Sequence, residues 1–379
     1  MTSLKNLHRK KMLCCSAFLL VLGIQAQTTP VTFPWDGQSR NVIVHLPPGY
    51  NAANSYPLVF NLHGYQSSAQ QQMLYSGMNG TADTYNFIVA YPDGLNNQWN
   101  SGWTGVYGSG TDDIGFIDAF IDYMDQHFSI DLDRVYACGM SNGGYQVNRM
   151  ACELSHRIAA VASVTGLMTD STHVHCAPQR AVPMMQVHGT ADPIVPASGP
   201  PLSLSEEETI LYWVQENGCD TTANTTTLPD TDPNDGCTAT KRVYASCAVG
   251  TENWRYIIQN GGHTWPGAIS IPAFGNTCKD FDASEHIWFF FSKYSLLGPL
   301  SAEEQLSAAT MEVYPNPAAG FIYVNGTKGE RIQVLGTSGA VLKEVVLSGG
   351  KQQLDLSLLK PGIYWLRSET GSSTKIVRL

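Results

Sequence analysis

The stretch Gly139-Met140-Ser141-Asn142-Gly143 decides the fold of the larger part of this chain. Before it lies Arg134-Val-Tyr-Ala-Cys138, an apolar and β-prone run that predicts a buried strand. After it, residues 144–152 contain no proline and predict the start of a helix. A strand, a sharp turn and a helix form the context in which G-x-S-x-G places an exposed nucleophilic serine above a sheet. An ordinary glycine-rich turn is the alternative interpretation.

The composition limits what the rest of the chain can do. The chain has 379 residues, of which 43% are hydrophobic and 14% charged, and this predicts two or three well-packed domains. The formal net charge is −10, and the lysines and arginines are scattered along the chain. Because binding to nucleic acid depends on neutralising phosphates, we expect no nucleic-acid partner.

The N-terminus has the pattern of a secretory signal peptide. Basic residues up to Lys11 are followed by an apolar segment over residues 12–24 and then by a polar run. The segment is too short for a membrane span, so we expect cleavage after Ala26, with residues 1–26 removed. A retained N-terminal anchor is the alternative. Cys14 and Cys15 precede the expected cleavage point, which argues against a lipid anchor.

Seven cysteines remain after such cleavage, and export permits disulfides. We expect three pairs, namely Cys152 with Cys176, Cys219 with Cys247, and Cys237 with Cys278. The odd count leaves one thiol, which we assign to Cys138 in the strand before Ser141.

Two patterns suggest a metal, and we expect neither to bind one. His173-x-His175-Cys176 lacks a second ligand pair at zinc spacing. Asp230-x-Asp232-x-Asn234 resembles a calcium loop, but its glycine is displaced and a lysine stands where the bidentate glutamate belongs. We therefore predict no metal and no cofactor.

The periodicity of the chain up to residue 297 predicts an α/β fold. Short apolar strands alternate with helical stretches, of which residues 112–128 form the clearest helix. Asp112 and Asp113 lie in its first turn, where the helix dipole favours acids over a metal role. Strands joined by crossover helices predict a mostly parallel sheet flanked by helices, and the segments read as strands lie at residues 41–46, 57–62, 87–91, 134–138, 158–164, 182–187 and 254–258.

A base and an acid for Ser141 follow later strands. Asp192 comes directly after the strand at 182–187, and His263 lies in a glycine-rich loop after the strand at 254–258. The order Ser, Asp, His is that of the α/β-hydrolase fold, and carboxyl ends of parallel strands meet at one edge of the sheet. The sequence therefore predicts a Ser141–His263–Asp192 triad. A turn-forming aspartate and a loop histidine are the alternatives, and His188 is expected to be structural.

The remaining parts of the predicted site are backbone donors and aromatic side chains. His63-Gly64-Tyr65 follows an early strand, so the N–H groups of Tyr65 and Asn142 are expected to form an oxyanion hole. Trp99, Trp103 and Trp265 either line a pocket or pack in the core.

Several separated motifs of this region resemble the polyhydroxybutyrate-depolymerase-type esterases, a family that also contains feruloyl and acetylxylan esterases. The resemblance covers residues 30–295 and implies the same triad. The motifs that carry it are Asp113-Ile-Gly-Phe116, Asp131-x-Asp133-Arg-Val-Tyr136, Gly139-Met-Ser-Asn-Gly-Gly144, His188-Gly-Thr-x-Asp192 and Gly262-His-Thr-Trp-Pro-Gly267.

The C-terminal part has a different character. After an expected esterase domain over residues 27–297 and a linker over 298–308, the periodicity changes to two and predicts a small all-β sandwich over 309–379. This segment resembles the C-terminal sorting domain of type IX secretion, which implies export across the outer membrane of a Gram-negative bacterium by that machinery. A carbohydrate-binding or spacer module is the alternative. The resemblance rests on Val313-Tyr-Pro-Asn-Pro317, Gly339-Ala-Val-Leu342, Leu359-Lys-Pro-Gly-Ile-Tyr364 and Lys375-Ile-Val-Arg-Leu379.

The combined expectation is a secreted serine carboxylesterase that cleaves feruloyl or acetyl esters of plant cell-wall polysaccharide, xylan above all, through an acyl-enzyme. Two alternatives stay open. One is an extracellular polyhydroxybutyrate depolymerase, and the other is a non-catalytic surface-binding protein on a hydrolase scaffold.

Overall fold

A ten-stranded sheet forms the centre of the larger region. The computed structural model describes residues 26–103, 110–300, 313–326, 328–336, 341–368 and 373–379. The signal segment up to residue 25, residues 301–308 of the expected linker, and Gly339 and Ala340 of the C-terminal motif lie outside the described residues.

The strands of this sheet are β1 (Gln27–Trp35), β2 (Gln38–Leu46), β3 (Tyr56–Leu62), β4 (Ile88–Pro92), β5 (Ile130–Met140), β6 (Ala160–Val164), β7 (Met184–Gly189), β8 (Asn224–Thr227), β9 (Thr238–Tyr244) and β10 (Asn253–Gln259). The helices are α1 (Ala69–Ser76), α2 (Met78–Tyr85), α3 (Asp113–His127), α4 (Asn142–Glu153), α5 (Asp170–His175), α6 (Glu206–Glu216) and α7 (Ala283–Phe291). Short 3₁₀ turns occur at Leu95–Asn97, Ala248–Gly250 and Pro272–Phe274.

The order of strands is β1-β2-β4-β3-β5-β6-β7-β10-β9-β8. The run from β4 to β10 is parallel, as the crossover pattern predicts. Antiparallel strands extend it at both edges, with β1 and β2 on one side and β9 and β8 on the other. The sheet is therefore mixed, and its parallel centre carries the carboxyl-end loops that form the site.

Burial explains why the centre is parallel. Every residue of β3, β4 and β6 is buried, which requires helices on both faces of the sheet. Along β3 the side chains alternate, so that Phe60 packs into the core under α3, α4 and α6, while Val59 packs into the core under α1, α2 and α7. Residues 27–297 thus hold two apolar layers around one sheet.

Helix α3 shows how local sequence fixes an element. The Asp112 carboxylate caps it by accepting the N–H of Gly115 at 2.8 Å. The stripe of Ile114, Ile117, Ile121 and Met124 then packs into the core, as its spacing predicts.

Two antiparallel sheets form the C-terminal region around a shared apolar core, which agrees with the predicted sandwich. One sheet has the order β13-β14-β17, and the other β16-β15-β18-β19. Before them, β11 (Tyr294–Ser295) pairs with β12 (Gly298–Pro299), so the first residues of the expected linker belong to a hairpin. The strands are β13 (Val313–Tyr314), β14 (Phe321–Gly326), β15 (Arg331–Leu335), β16 (Val341–Val346), β17 (Gly350–Asp355), β18 (Gly362–Ser368) and β19 (Ser373–Arg378).

Within the described ranges, no helix is both long enough and apolar enough to cross a membrane.

Candidate active site

Ser141 occupies the sharp turn between β5 and α4. Its backbone has φ 55° and ψ −120°, a conformation that is strained for a residue with a side chain. The turn is held by two hydrogen bonds, in which the Ser141 N–H donates to Val164 O at 2.8 Å and the Ser141 carbonyl accepts the Tyr145 N–H at 2.9 Å. The strain has the form expected of a nucleophile elbow.

The flanking glycines are required by close backbone contact. A Cβ atom added to Gly139 would lie 2.6 Å from the Gly143 backbone, and one added to Gly143 would lie 2.4 Å from Leu62 O. Only hydrogen fits at either position, because real Cβ atoms do not approach to such distances. The G-x-S-x-G pattern is thus a packing requirement of β3 against the turn.

Asp192 and His263 meet at the same edge of the sheet. Their loops follow β7 and β10, which are neighbouring parallel strands. The Asp192 Oδ2 atom lies 2.8 Å from His263 Nδ1, and both side chains are buried. Because a carboxylate only accepts, Nδ1 carries the proton, and in the neutral ring Nε2 is then free to accept one.

The second carboxylate oxygen fixes the orientation of Asp192. Its Oδ1 atom accepts the backbone N–H groups of Ile194 and Val195, both at 2.8 Å. His188 supports the same loop, because its Nε2 donates to Val195 O at 2.9 Å and lies 3.7 Å from Asp192 Oδ2. Burial lowers the pKa of His188, so the ring is neutral. The contact of His188 with the loop over residues 192–195, which we call the acid loop, agrees with a structural role for this histidine.

In the part of the chain that the structure describes, Ser141 Oγ makes no hydrogen bond to His263. Such contacts often tighten only when substrate binds, so the open geometry is compatible with a serine–histidine pair.

Asn142 holds a short segment opposite the serine, Trp99–Ser101, which we call the strap. The Asn142 Oδ1 atom accepts the Trp99 N–H at 2.6 Å, and its Nδ2 donates to Trp99 O at 3.2 Å and to Ser101 Oγ at 2.9 Å. Asn142 therefore has a side-chain role in the structure, and its predicted backbone role in an oxyanion hole remains a prediction.

A buried ion pair holds the middle residue of the strap, Asn100. Asp113 Oδ2 accepts the Asn100 N–H at 2.7 Å, and Oδ1 contacts Arg40 Nη2 at 2.7 Å. Arg149 Nη1 donates to Asn100 O at 2.5 Å. Burial raises the pKa of Asp113, while the Asn100 N–H and Arg40 oppose that rise.

The role of the Arg40–Asp113 pair was not predicted from the sequence. The first-turn position of Asp113 predicts only a contact with the helix dipole, whereas in the structure Asp112 caps the helix and Asp113 binds Arg40 and Asn100. The available signal was Arg40, a charged residue directly before an apolar strand.

A cavity of about 490 Å³ opens beside Ser141. Its walls include Trp99 and Trp103. The Trp103 ring packs edge to face on Tyr145, with the ring centroids 4.8 Å apart. Trp265 does not line it, because its side chain is fully buried and donates to Ser284 Oγ at 3.2 Å. The full lining is Tyr65, Gln98, Trp99, Asn100, Ser101, Trp103, Gly110, Thr111, Ser141, Asn142, Tyr145 and Val195.

Two of the three expected disulfides are present, Cys152–Cys176 and Cys219–Cys247. The expected Cys237–Cys278 bond is not formed, and this expectation is corrected. Both residues are buried free thiols, and Cys237 Sγ is directed to the Asp235 carbonyl at 3.8 Å instead. Cys138 is free and buried, as predicted.

Two residues of the His173-x-His175-Cys176 pattern have other partners in the structure. Cys176 is consumed by its disulfide, and His175 Nδ1 donates to Ser171 O at 2.8 Å within α5. Among the described residues, one group has ligand atoms within 4.8 Å of one another, namely Asp235, Cys278 and Asp280.

Two families match the chain. The family described as esterase PHB depolymerase matches residues 41–198, and the secretion system C-terminal sorting domain matches residues 312–379.

Curated relatives cover the larger region. The putative esterase NocK of Nocardia uniformis subsp. tsuyamanensis is 30% identical over 252 residues, which is 61% of this chain and 72% of NocK. Feruloyl esterase D of Neurospora crassa is 27% identical over 281 residues, 70% of this chain and 86% of that protein. The bifunctional acetylxylan esterase/xylanase XynS20E of Neocallimastix patriciarum is 28% identical over 75% of this chain, which spans 37% of that protein.

One solved structure establishes the fold. An acetyl xylan esterase from Aspergillus awamori superposes with a TM-score of 0.50 at 15% identity, covering 70% of this chain and 98% of that one.

Proposed function

We propose that this chain, which belongs to the esterase PHB depolymerase family, is a secreted serine esterase that releases feruloyl or acetyl groups from plant cell-wall polysaccharide, xylan above all. That the chain is a carboxylic ester hydrolase follows from its relatives, which are esterases. The acyl group and the residue roles are our inference.

The observation that carries the proposal is the aromatic wall of the cavity beside Ser141. Trp103 and Tyr145 line the cavity and pack edge to face against each other, and a planar hydroxycinnamoyl ring packs favourably against aromatic side chains. Gln98 and Thr111 line the same cavity and carry polar side chains for the hydroxyls of a sugar. A relative named for feruloyl ester cleavage, feruloyl esterase D, supports this choice.

In the proposed mechanism Ser141 is the nucleophile. His263 Nε2 takes the hydroxyl proton while Oγ attacks the ester carbonyl, and the proton then passes to the leaving alkoxide. Asp192 holds the imidazole in the Nδ1–H tautomer and stabilises its cation, as the 2.8 Å contact supports. The products of this half-reaction are an alcohol and an acyl-enzyme on Ser141.

Backbone donors stabilise the tetrahedral oxyanion. We assign this role to the N–H groups of Tyr65 and Asn142, of which the second lies at the N-terminus of α4. Water activated by His263 then attacks the acyl-enzyme, and collapse of the second tetrahedral intermediate releases the acid.

Polyester hydrolysis is the second candidate, favoured by apolar groups around the cavity. The Tyr65 side chain, which lines it, is 60% exposed, and Ile194 on the acid loop is 53% exposed. Such a surface suits an apolar polymer chain as well as a sugar-linked aromatic acid.

The proposal extends to the whole chain. We assign residues 1–26 to a signal peptide, 27–297 to the esterase domain, 298–308 to a linker and 309–379 to the sorting domain, which matches a secretion-system family. The partners are then an ester substrate on a polymer and the type IX machinery of a Gram-negative bacterium. The exported protein acts at the cell surface or outside the cell.

The test is acid release by the purified full chain beside Ser141→Ala, with methyl ferulate, acetylated xylan and polyhydroxybutyrate as substrates. Release of ferulate or acetate by the wild type and none by the variant is the expected result. Release of 3-hydroxybutyrate alone moves the substrate to the polyester. No release from any ester favours a non-catalytic surface-binding protein.

A further inference from the structure

His63 is a fully buried histidine that belongs to neither the acid nor the base of the proposed triad. It directly follows β3 and precedes Gly64 and Tyr65. We propose that His63 is a positioning residue of the oxyanion hole, because its imidazole fixes the Gly64–Tyr65 peptide and thereby aims the Tyr65 N–H. This inference rests on the proposed function.

The peptide in question lies against the nucleophile. A Cβ atom added to Gly64 would lie 3.3 Å from Ser141 Cβ and 3.9 Å from Ser141 Oγ. The next two N–H groups already have acceptors, since Gln66 donates to Asn97 O at 2.8 Å and Ser67 donates to Gly64 O at 3.1 Å. Within the described ranges, the Tyr65 N–H makes no hydrogen bond, which leaves it available to an oxyanion.

The imidazole sets the plane of this peptide. His63 Nδ1 lies 2.7 Å from Gly64 O, so Nδ1 must donate to that carbonyl. In a planar trans peptide the C=O and the following N–H point in opposite directions. The Gly64 oxygen accepts from His63 Nδ1 and, at the longer distance of 3.1 Å, from the Ser67 N–H, and holding this carbonyl holds the Tyr65 N–H at a fixed angle.

The surroundings of His63 select the required tautomer. Its Nε2 accepts the Gly94 N–H at 2.9 Å, so Nε2 carries no proton and Nδ1 does. Burial lowers the pKa of His63 against the opposing effects of Gly64 O, Asp93 and Asp113, while Arg40 adds to the lowering. The ring is thus neutral, and one nitrogen is committed to each partner.

The strap packs against the His63 ring through Trp99. Trp99 Nε1 donates to His63 O at 2.9 Å, and the two rings pack with their centroids 5.2 Å apart. Asn142 contacts Trp99 as well, so the residues that carry both proposed oxyanion donors are connected through the strap.

Two amide substitutions separate the two nitrogens of His63. His63→Asn places an amide N–H near the Nδ1 position and keeps a donor for Gly64 O, but it is too short to reach Gly94. His63→Gln places its amide near the Nε2 position and keeps an acceptor for the Gly94 N–H, but it loses the donor to Gly64 O. Each variant gives up one buried hydrogen bond, so they are matched in expected stability.

The measurement is kcat and KM on a soluble ester, per active site counted by the endpoint of fluorophosphonate titration. We expect His63→Gln to lose about 100-fold in kcat, the scale of a lost oxyanion donor, with little change in KM, and His63→Asn to lose at least about tenfold less. Equal losses in both variants, or a loss confined to KM, would overturn the assignment. Ser141→Ala is run alongside, and if it matches the wild type, the proposed function fails rather than the role of His63.

A second readout needs no variant. In ¹⁵N-histidine NMR spectra of the wild-type chain, His63 is expected as the Nδ1–H tautomer at every pH at which the enzyme is active. An Nε2–H tautomer or an imidazolium at those pH values contradicts the proposal.

Discussion

Asp192→Asn tests the proposed triad through a single proton. The two carboxylate oxygens of Asp192 have different partners, since Oδ1 accepts two backbone N–H groups at 2.8 Å and Oδ2 faces His263 Nδ1 at 2.8 Å. An asparagine amide must place its oxygen at the Oδ1 position, because the reverse orientation would lose two hydrogen bonds worth about 1 kcal/mol each and oppose N–H to N–H. Its NH₂ group then points at His263.

The consequence is a change of tautomer. Facing an amide donor, His263 Nδ1 must accept, so the ring proton moves to Nε2, and Nε2 can no longer take the proton of Ser141. The expected loss in kcat is about 10⁴-fold, or about 5.5 kcal/mol of transition-state stabilisation. KM is expected to change little, because Asp192 does not line the cavity.

The assay is ester hydrolysis at saturating substrate, with Asp220→Asn as a matched control on an exposed aspartate. The control is expected to keep the wild-type rate, and both variants to keep the wild-type unfolding midpoint. If Asp192→Asn retains more than about a hundredth of the wild-type kcat, the tautomer argument is refuted.

Three further predictions concern the framework of the site. Asn142→Ala leaves buried polar groups of the strap without a partner, so the free energy of unfolding in urea is expected to fall by about 1–3 kcal/mol and KM to rise. An unchanged KM would mean that the strap does not shape the pocket. Arg40→Met leaves the Asp113 carboxylate buried without its ion-pair partner and is expected to cost about 3–5 kcal/mol of unfolding free energy. Most of this is expected to be recovered when Asp113→Asn is added, because the amide removes the charge and its oxygen still accepts the Asn100 N–H, and failure to recover would contradict the ion-pair argument. Joint replacement of Cys152 and Cys176 by alanine opens a loop with a sequence separation of 24, and the free energy of unfolding is expected to fall by about 3.5 kcal/mol relative to the wild type with the disulfide intact. No loss would mean that the disulfide adds nothing to stability.

Local chemistry made the elbow predictable from the sequence. A strained turn with no room for a Cβ on either side requires glycine at fixed offsets, and these offsets are visible in Gly139 and Gly143. The loops that hold Asp192 and His263 could be placed as well, because each follows an apolar strand and parallel strands end at one edge. The helix over 113–127 was predictable from its cap and apolar stripe.

Other features depend on which segments meet in space. The antiparallel edges of the sheet were missed, because β8 and β9 are short, polar or half-exposed, and give no alternating pattern strong enough to detect. Trp99 and Trp265 could not be told apart, since one lines the cavity and the other packs in the core for reasons of position alone. The Cys237–Cys278 pairing was wrong because spacing along the chain does not fix the direction of a thiol.

The sequence by itself therefore determined the identity and order of the proposed catalytic side chains, because glycine turns and strand ends are encoded by neighbouring residues. Only the tertiary structure decided what holds them. His63 takes its tautomer from Gly94, which is 31 residues away, and Asp113 finds Arg40 at a separation of 73 residues. Such contacts are decided by burial, which excludes water and forces each buried polar atom to find a partner wherever the fold supplies one.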